Sequence, residues 1–509
     1  MEELDYNTEE LRVEHATLFA KLNNEQKEIY HAVLQSVAHD EGTFFFVYGH
    51  GGTGKTFLWK TIICALRGIG QVVLAVASSG IASLLLPRGR TAHSRFKIPI
   101  DVDDLSTCEI KKGTQLARLL QKTALILWDE APMIHRNCLE ALHRSLQDIM
   151  LDDTRHENNK TFGGKTVLLG GDFRQILPVI PSGSKHDVIN ASICKSPLWE
   201  HCKIFTLQTN MRLLSRSLDQ TATGEIKDFA TWILNVGDGC AQGIGPNVDD
   251  DTTIIKIPND LLVSPGNNPI QTICSTIYPD FAQNFADISY LQHRAIVTPY
   301  NDTVTLINEF MLSELPGDIK TYLSCDTISK SSSSTRDEDF LYPTEFLNSL
   351  SFNGIPNHKL QLKVGATIML LRNINQSLGL CNGTRLMVTH LASRVIQAEI
   401  ISGNHIGEKV FVPRINMTVK NSKWPFVLTR KQFPIRLCYG MTINKSQGQT
   451  LDIVGLFLPK PVFTHGQLYV ALSRATSREG LKILIQSEND SNIGTTKNIV
   501  YKEILHALH

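Results

Sequence analysis

Short apolar runs bounded by Gly, Ser and Asp alternate with stretches of helical spacing through the first 205 residues. Thr43–Val47, Gln71–Ala77, Ala124–Trp128 and Thr166–Leu169 are such runs. Their unbroken apolar character suits parallel strands buried on both faces. A glycine loop after the first run leads into a helix predicted over Lys55–Leu66. Leu139, Leu142, Leu146 and Ile149 recur at helical spacing and predict a helix over Asn137–Met150. Alternating strand and helix signals define a doubly wound α/β domain over 1–205.

A second α/β unit begins after it. Arg294–Thr298 reads as a strand and Asp302–Leu315 as a helix. Residues 366–431 change character. Arg385–His390, Val395–Ile401 and Glu408–Arg414 alternate like half-buried strands, the last two joined through Ser402-Gly403-Asn404. From Phe433 the α/β pattern resumes, with strands at Val454–Leu458 and Leu481–Gln486 and a helix near Gly466–Ala475. The expectation is a second α/β domain, 206–365 with 432–509, interrupted by a β insert at 366–431. The serine run Ser331–Thr335 reads as a surface loop.

Composition narrows the class. The 509 residues are 42% hydrophobic and 20% charged, an ordinary globular balance with room for two to four domains. Lys+Arg and Asp+Glu both number 50, so bulk charge gives no attraction to nucleic acid. A local basic lining would still suffice for a nucleic-acid channel. No apolar run is long enough to span a membrane, so no membrane partner is expected. The segment Met1 to Glu10 is acidic, unlike a targeting peptide. Ten scattered cysteines without C-x-x-C read as reduced thiols, not as a disulfide framework or a zinc or iron–sulfur site.

The strongest chemistry lies after the first strand. Gly49-His50-Gly51-Gly52-Thr53-Gly54-Lys55-Thr56 fits G-x-x-x-x-G-K-[ST], between a strand and a helix. Glycines let the backbone N–H groups turn inward on a phosphate, and the helix N-terminus adds its dipole. Lys55 would reach the β and γ phosphates of ATP, and Thr56 would ligate Mg²⁺. Asp129-Glu130 ends the strand Ala124–Trp128. Asp129 would contact the metal and Glu130 would take a proton from the attacking water. Adjacent acids favour hydrolysis over phosphoryl transfer to a metabolite. Gln175, after the fourth strand, is placed to sense the γ-phosphate. Arg212 and Arg474 are candidates for arginines delivered from another domain onto the γ-phosphoryl charge.

These motifs resemble the Pif (petite integration frequency) DNA helicases of helicase superfamily one, in their plant and Helitron-transposon variant. Leu22-Asn23-Asn24-Glu25-Gln26, the P-loop with Phe57-Leu58-Trp59, Ser78-Ser79-Gly80-Ile81-Ala82, Thr91-Ala92-His93-Ser94-Arg95-Phe96 and Gly171-Asp172-Phe173-Arg174-Gln175 carry the likeness. Cys381-Asn382-Gly383-Thr384-Arg385, Met441 to Thr450 and His465 to Arg474 continue it in the second half. The resemblance implies two RecA-like P-loop NTPase domains, with the insert a small Src-homology-like β-barrel and a small wedge near 92–115. It implies that Gln26 recognises adenine, that Gly49, Gly51, Gly52, Thr53 and Gly54 cradle ATP, and that Arg212 and Arg474 are arginine fingers. It places His93, Phe96, Thr442, Lys445 and His465 along a DNA channel.

The implied activity is ATP-dependent 5′-to-3′ translocation on single-stranded DNA and unwinding of forked duplex, in DNA repair, recombination and telomere maintenance. A monomer is expected, in the nucleus or mitochondrion. Two features depart from the family. Cys438-Tyr439-Gly440 stands where Ala-Phe-Ala is usual, and Gly440 puts local packing in question. The His-x-His pair of Helitron nucleases is absent, and the chain starts 21 residues before Leu22, which suggests a freestanding helicase or a transposon fragment. An inactive nucleic-acid-binding remnant, a nucleotide-driven switch and an RNA-directed helicase are the competing readings.

Overall fold

A computed structural model describes residues 6–151, 160–211, 220–243, 251–329, 342–352, 354–403, 405–420, 424, 426–486 and 494–507. Ser331–Thr335 and Arg212 lie outside the described residues.

The first domain is a six-stranded sheet of β1 (Phe44–Gly49), β2 (Val72–Ala77), β3 (Arg90–Thr91), β4 (Thr123–Asp129), β5 (Thr166–Gly171) and β6 (Cys202–Leu207). The strand order is β3-β2-β4-β5-β1-β6, and every pairing is parallel. The central strands β1, β2, β4 and β5 are buried along nearly their whole length, as unbroken apolar runs require. Helix Lys55–Gly68 packs Leu58, Trp59, Ile62 and Ile63 on the sheet. Gly170 on β5 admits the Trp59 ring, for a Cβ there would lie 2.3 Å from the indole. Because all strands run the same way, the ends of β1, β4 and β5 open on one edge, where such sheets bind ligands.

The second domain has a four-stranded parallel sheet of Gly440–Thr442, Arg294–Thr298, Ile453–Leu458 and Leu481–Ile485, in that spatial order. Gly440 explains the departure from Ala-Phe-Ala. A Cβ there would sit 2.9 Å from Ile307 Cγ2. The helix Asn301–Glu314 therefore lies close against this strand, and Asn308 closes the contact. Its Oδ1 accepts the N–H groups of Tyr439 (2.8 Å) and Gly440 (3.0 Å), while its Nδ2 donates to the Gly440 carbonyl at 3.0 Å.

The β insert is antiparallel and wider than expected. Its five-stranded sheet orders Lys409–Pro413, Val395–Ile400, Arg385–Leu391, Thr367–Leu370 and Ile435–Leu437. Cys325–Ser329, Val427–Gln432 and Ile415–Lys420 form a second sheet, and Lys320–Leu323 pairs with Lys359–Leu362. Strands thus run from Lys320 to Leu437 rather than over 366–431. The additional strands are short and half polar (Lys320–Leu323 buries only Tyr322), so their pattern is weak. A fully buried pair, Arg430 to Asp326 at 2.6 Å, holds the second sheet together. Arg430 also donates to the Pro356, Leu347 and Leu350 carbonyls, which satisfies its charge inside the fold.

The span 432–509 does not belong wholly to the second domain. Thr495–Ile499 pairs antiparallel with Thr252–Lys256. Tyr501 and Ile504 then join the core of the first domain, beside Phe173 and Ile193. The reason is apolar: these two side chains need cover, and the first core offers it. No described helix is long and apolar enough to cross a membrane.

Candidate nucleotide site and nucleic-acid groove

The P-loop crosses from β1 to its helix at the open edge. Gly52 (φ 94) and Gly54 (φ 77) take left-handed turns that side chains resist. Thr53 Oγ1 donates to the His50 carbonyl at 2.9 Å and fixes the loop. The Lys55 ammonium donates to the Gly49 and His50 carbonyls, curling back over the loop. Thr56 is exposed in the first helical turn. Gln26, fully buried, caps its own helix with Asn23 and donates through Nε2 to the Thr53 carbonyl at 3.2 Å. It therefore touches the loop, and a Cβ on Gly54 would lie 2.7 Å from that nitrogen.

Asp129 closes β4 and is almost fully buried. Its Oδ1 accepts the Glu130 N–H at 3.0 Å. Glu130 sits in the left-handed region (φ 52, ψ 38), a conformation that costs a non-glycine residue on the order of 1 kcal/mol or more. Burial, then the adjacent Asp129 charge, raises the Glu130 carboxyl above the ordinary carboxylate range, and Lys55 and Arg474 oppose this. Burial also raises Asp129, with Lys55 opposing. A carboxyl held high and beside the P-loop is suited to receive a proton.

The second domain closes over this edge. Arg474 is buried, and its charge acts on Glu130. It donates to the carbonyls of Val470 (2.9 Å) and Gln449 (2.8 Å) and to Ser473 Oγ (2.9 Å). Gln175 Oε1 accepts from Gln447 Nε2 at 3.0 Å, and the Tyr469 hydroxyl donates to buried Asp172 at 2.6 Å. Arg174 in turn clasps Asp238, Nε to Oδ1 at 2.6 Å. Charge interactions thus place Lys55, Asp129, Glu130 and Arg474 in one cleft, and Gln175 bonds Gln447 where the two domains meet.

A groove of 1240 Å³ runs behind the cleft between both α/β domains and the β insert. His93, Thr442 and Lys445 line it, as do Gly80, Asn382 and Gln447. Two expected channel residues do not. Phe96 is fully buried and packs near Trp128, ring centroids 6.0 Å apart, so it serves the core. His465 is also fully buried. Its Nε2 bonds the Phe173 carbonyl and its Nδ1 accepts the Tyr501 N–H, each at 2.8 Å. Both ring nitrogens are used, and burial pushes its pKa down to about 4, with the Phe173 bond opposing. The apolar surface in the groove comes instead from Val179, 67% exposed, and Phe463, 57% exposed, the latter against the Tyr300 ring at 5.4 Å. Phe463 lies two residues before His465, but a lone aromatic gives no sequence sign of facing outward.

Two parallel α/β sheets that meet over a P-loop, with an acid pair on one side and a buried arginine on the other, define a two-domain RecA-like NTPase. Residues 21–244 match the PIF1-like helicase family, and residues 345–391 match the 2B domain of DNA helicase Pif1. Human ATP-dependent DNA helicase PIF1 is 29% identical over 478 residues, covering 91% of this chain and 61% of that protein. The rat enzyme is 28% identical over 477 residues, with the same coverage. The chain therefore spans 61% of these relatives' length. A Bacteroides Pif1 bound to single-stranded DNA shares the fold at TM-score 0.62 and 21% identity, over 95% of this chain and 93% of that one. Candida albicans Pif1 does so at TM-score 0.59 and 24% identity, over 95% and 98%.

Proposed function

We propose that this chain is an ATP-hydrolysing motor that moves 5′-to-3′ along single-stranded DNA and opens forked duplex. One observation carries the reading: Gln447 lines the groove and bonds Gln175 at the nucleotide cleft. A strand in the groove and a phosphate in the cleft would thus act on the same hydrogen bond. The relatives' names add ATP dependence and DNA helicase activity.

Thr56 and Asp129 would hold Mg²⁺. An exposed hydroxyl at the helix start and a buried carboxylate at a strand end suit a hard cation that takes its other ligands from phosphate and water. Bound there, the metal would neutralise charge on the β and γ phosphates. Lys55 would leave the loop carbonyls for phosphate oxygens, Gln26 would face adenine, and Glu130 would accept the water proton. Arg474, and Arg212 from beyond the described residues, would steady the γ-phosphoryl charge as the domains close. Phosphate contacts would dominate strand binding, with little sequence preference. We further place the chain in the plant and Helitron-type branch, acting as a monomer in nuclear or mitochondrial DNA repair, recombination and telomere maintenance.

The test is steady-state ATP hydrolysis with and without single-stranded DNA, with Glu130→Gln as control. Strong stimulation that the variant loses is expected. Turnover indifferent to DNA would overturn the motor reading in favour of a nucleotide switch. Preferential stimulation by RNA would redirect it to an RNA motor.

A further inference from the structure

Arg436 stands on Ile435–Leu437, the edge strand of the five-stranded sheet, and lines the groove. Its Nε and Nη2 are buried and have no hydrogen-bond partner. Nearby, Lys445 has a single long bond, to Asn382 Oδ1 at 3.4 Å. Arg372 bonds only neutral carbonyls, those of Gly354 (2.8 Å) and Leu371 (3.0 Å). Among the described residues no carboxylate pairs with any of the three. Arg436 is the one arginine among the described residues with two such nitrogens: Arg430 has Asp326, and Arg385 donates to three carbonyls and leaves only its Nε, as Arg67, Arg95 and Arg294 do. The charge interactions agree. Burial first, then Arg436 and Arg372, push the Lys445 ammonium down to about 8.

The cluster lies where three parts of the molecule meet. Lys445 comes from the second domain, and Arg436 and Arg372 from the β insert. The turn at Asn382 packs on the first domain so closely that a Cβ on Gly80 would lie 2.5 Å from the Asn382 carbonyl oxygen. Like charges assembled in a partly dry place are costly unless an anion joins them. A guanidinium presents a planar fork to phosphate oxygens, and an ammonium adds a point charge. The groove is open, and it carries the exposed Phe463 face that a base could cover.

We propose that Arg436, supported by Lys445 and Arg372, seats one backbone phosphate of the bound strand at this three-way junction. The assignment rests on the motor reading, since it needs a strand in the groove. The counter-charge missing from the protein is supplied by the nucleic acid. Strand grip therefore depends on the β insert and both domains being in register.

The experiment is equilibrium binding of a fluorescent oligothymidylate of about 12 nucleotides to the full chain across a salt series. Arg436→Gln is expected to bind several-fold more weakly, with a log–log salt slope shallower by about 1. Arg436→Lys should retain the slope. Single methylphosphonate linkages, scanned along the oligonucleotide against the unaltered protein, should reveal one linkage whose neutralisation costs most. That penalty should vanish in Arg436→Gln. An unchanged slope, or a flat scan with the unaltered protein, would overturn the seat. Displacement of the oligonucleotide by inorganic phosphate, but not by chloride at equal ionic strength, would make it a free-anion site and overturn the backbone assignment. Failure of the unaltered protein to bind the oligonucleotide at all would instead defeat the motor reading.

Discussion

The nucleotide cleft and the strand groove are built on opposite plans. The cleft is assembled from contiguous peptides: one loop of eight residues, one acid pair, one glutamine. Its geometry is dictated by backbone, by glycines at positive φ and by strand ends that a parallel sheet aligns. The groove is a meeting of side chains from segments hundreds of residues apart, chosen by which face of a short element looks outward. Local chemistry is thus fixed early in the hierarchy, while the composite surface exists only once three bodies have docked.

Substitutions should separate the two regions. Lys55→Ala should take ATP turnover to background, a loss of at least about 10²-fold, with single-stranded DNA binding largely intact. Residual turnover in a steady-state assay would break the cleft assignment. Arg474→Ala should leave ATP binding mostly intact and remove DNA-stimulated turnover, about 10³-fold if it acts as a finger. Normal stimulation would mean that the cleft does not need the second domain. Phe463→Ala should weaken strand binding by about 1 to 3 kcal/mol in a fluorescence titration, with basal ATP hydrolysis carrying the comparison. Unaltered affinity would remove the apolar wall from the groove.

The smallest effect concerns the buried histidine behind both sites. His465 is held neutral, so between pH 6.5 and about 4 the unfolded chain takes a proton that the folded chain refuses. Stability should therefore fall as pH drops through this window, by about 1.4 kcal/mol per unit at most for this group. Urea midpoints at pH 7 and pH 5 check the direction, and His465→Gln should flatten the difference. An unflattened slope would mean that other groups set it.

Much of the fold was legible because its carriers are periodic. The strand expected at Arg294–Thr298 forms over those residues, and the helices expected at Lys55–Leu66 and Asn137–Met150 form within two residues of their expected ends. The P-loop and the acid pair that ends β4 were legible because their spacing and setting are local, and both lie at the open edge of the first sheet. Phe96 and His465 were misread for one reason: a motif's letters do not say which side chains point inward. Phe96 faces Trp128, and His465 is consumed by Phe173 and Tyr501. Phe463, Val179 and Arg436 carried no spacing signal, since their importance comes from exposure or from a missing partner. The outer strands near Lys320 and Lys359 were invisible because so few of their side chains are buried.

The return of Tyr501 and Ile504 to the first core bears on how the molecule is made. The first sheet closes by Leu207, yet its hydrophobic interior lacks two of its members until almost three hundred further residues have been synthesised. On the ribosome that domain must wait with an uncovered apolar patch while the second domain and the β insert take shape. Once seated, the late segment clasps the two lobes like a strap, so that a cut or truncation after Ile485 would be felt first in the lobe made earliest.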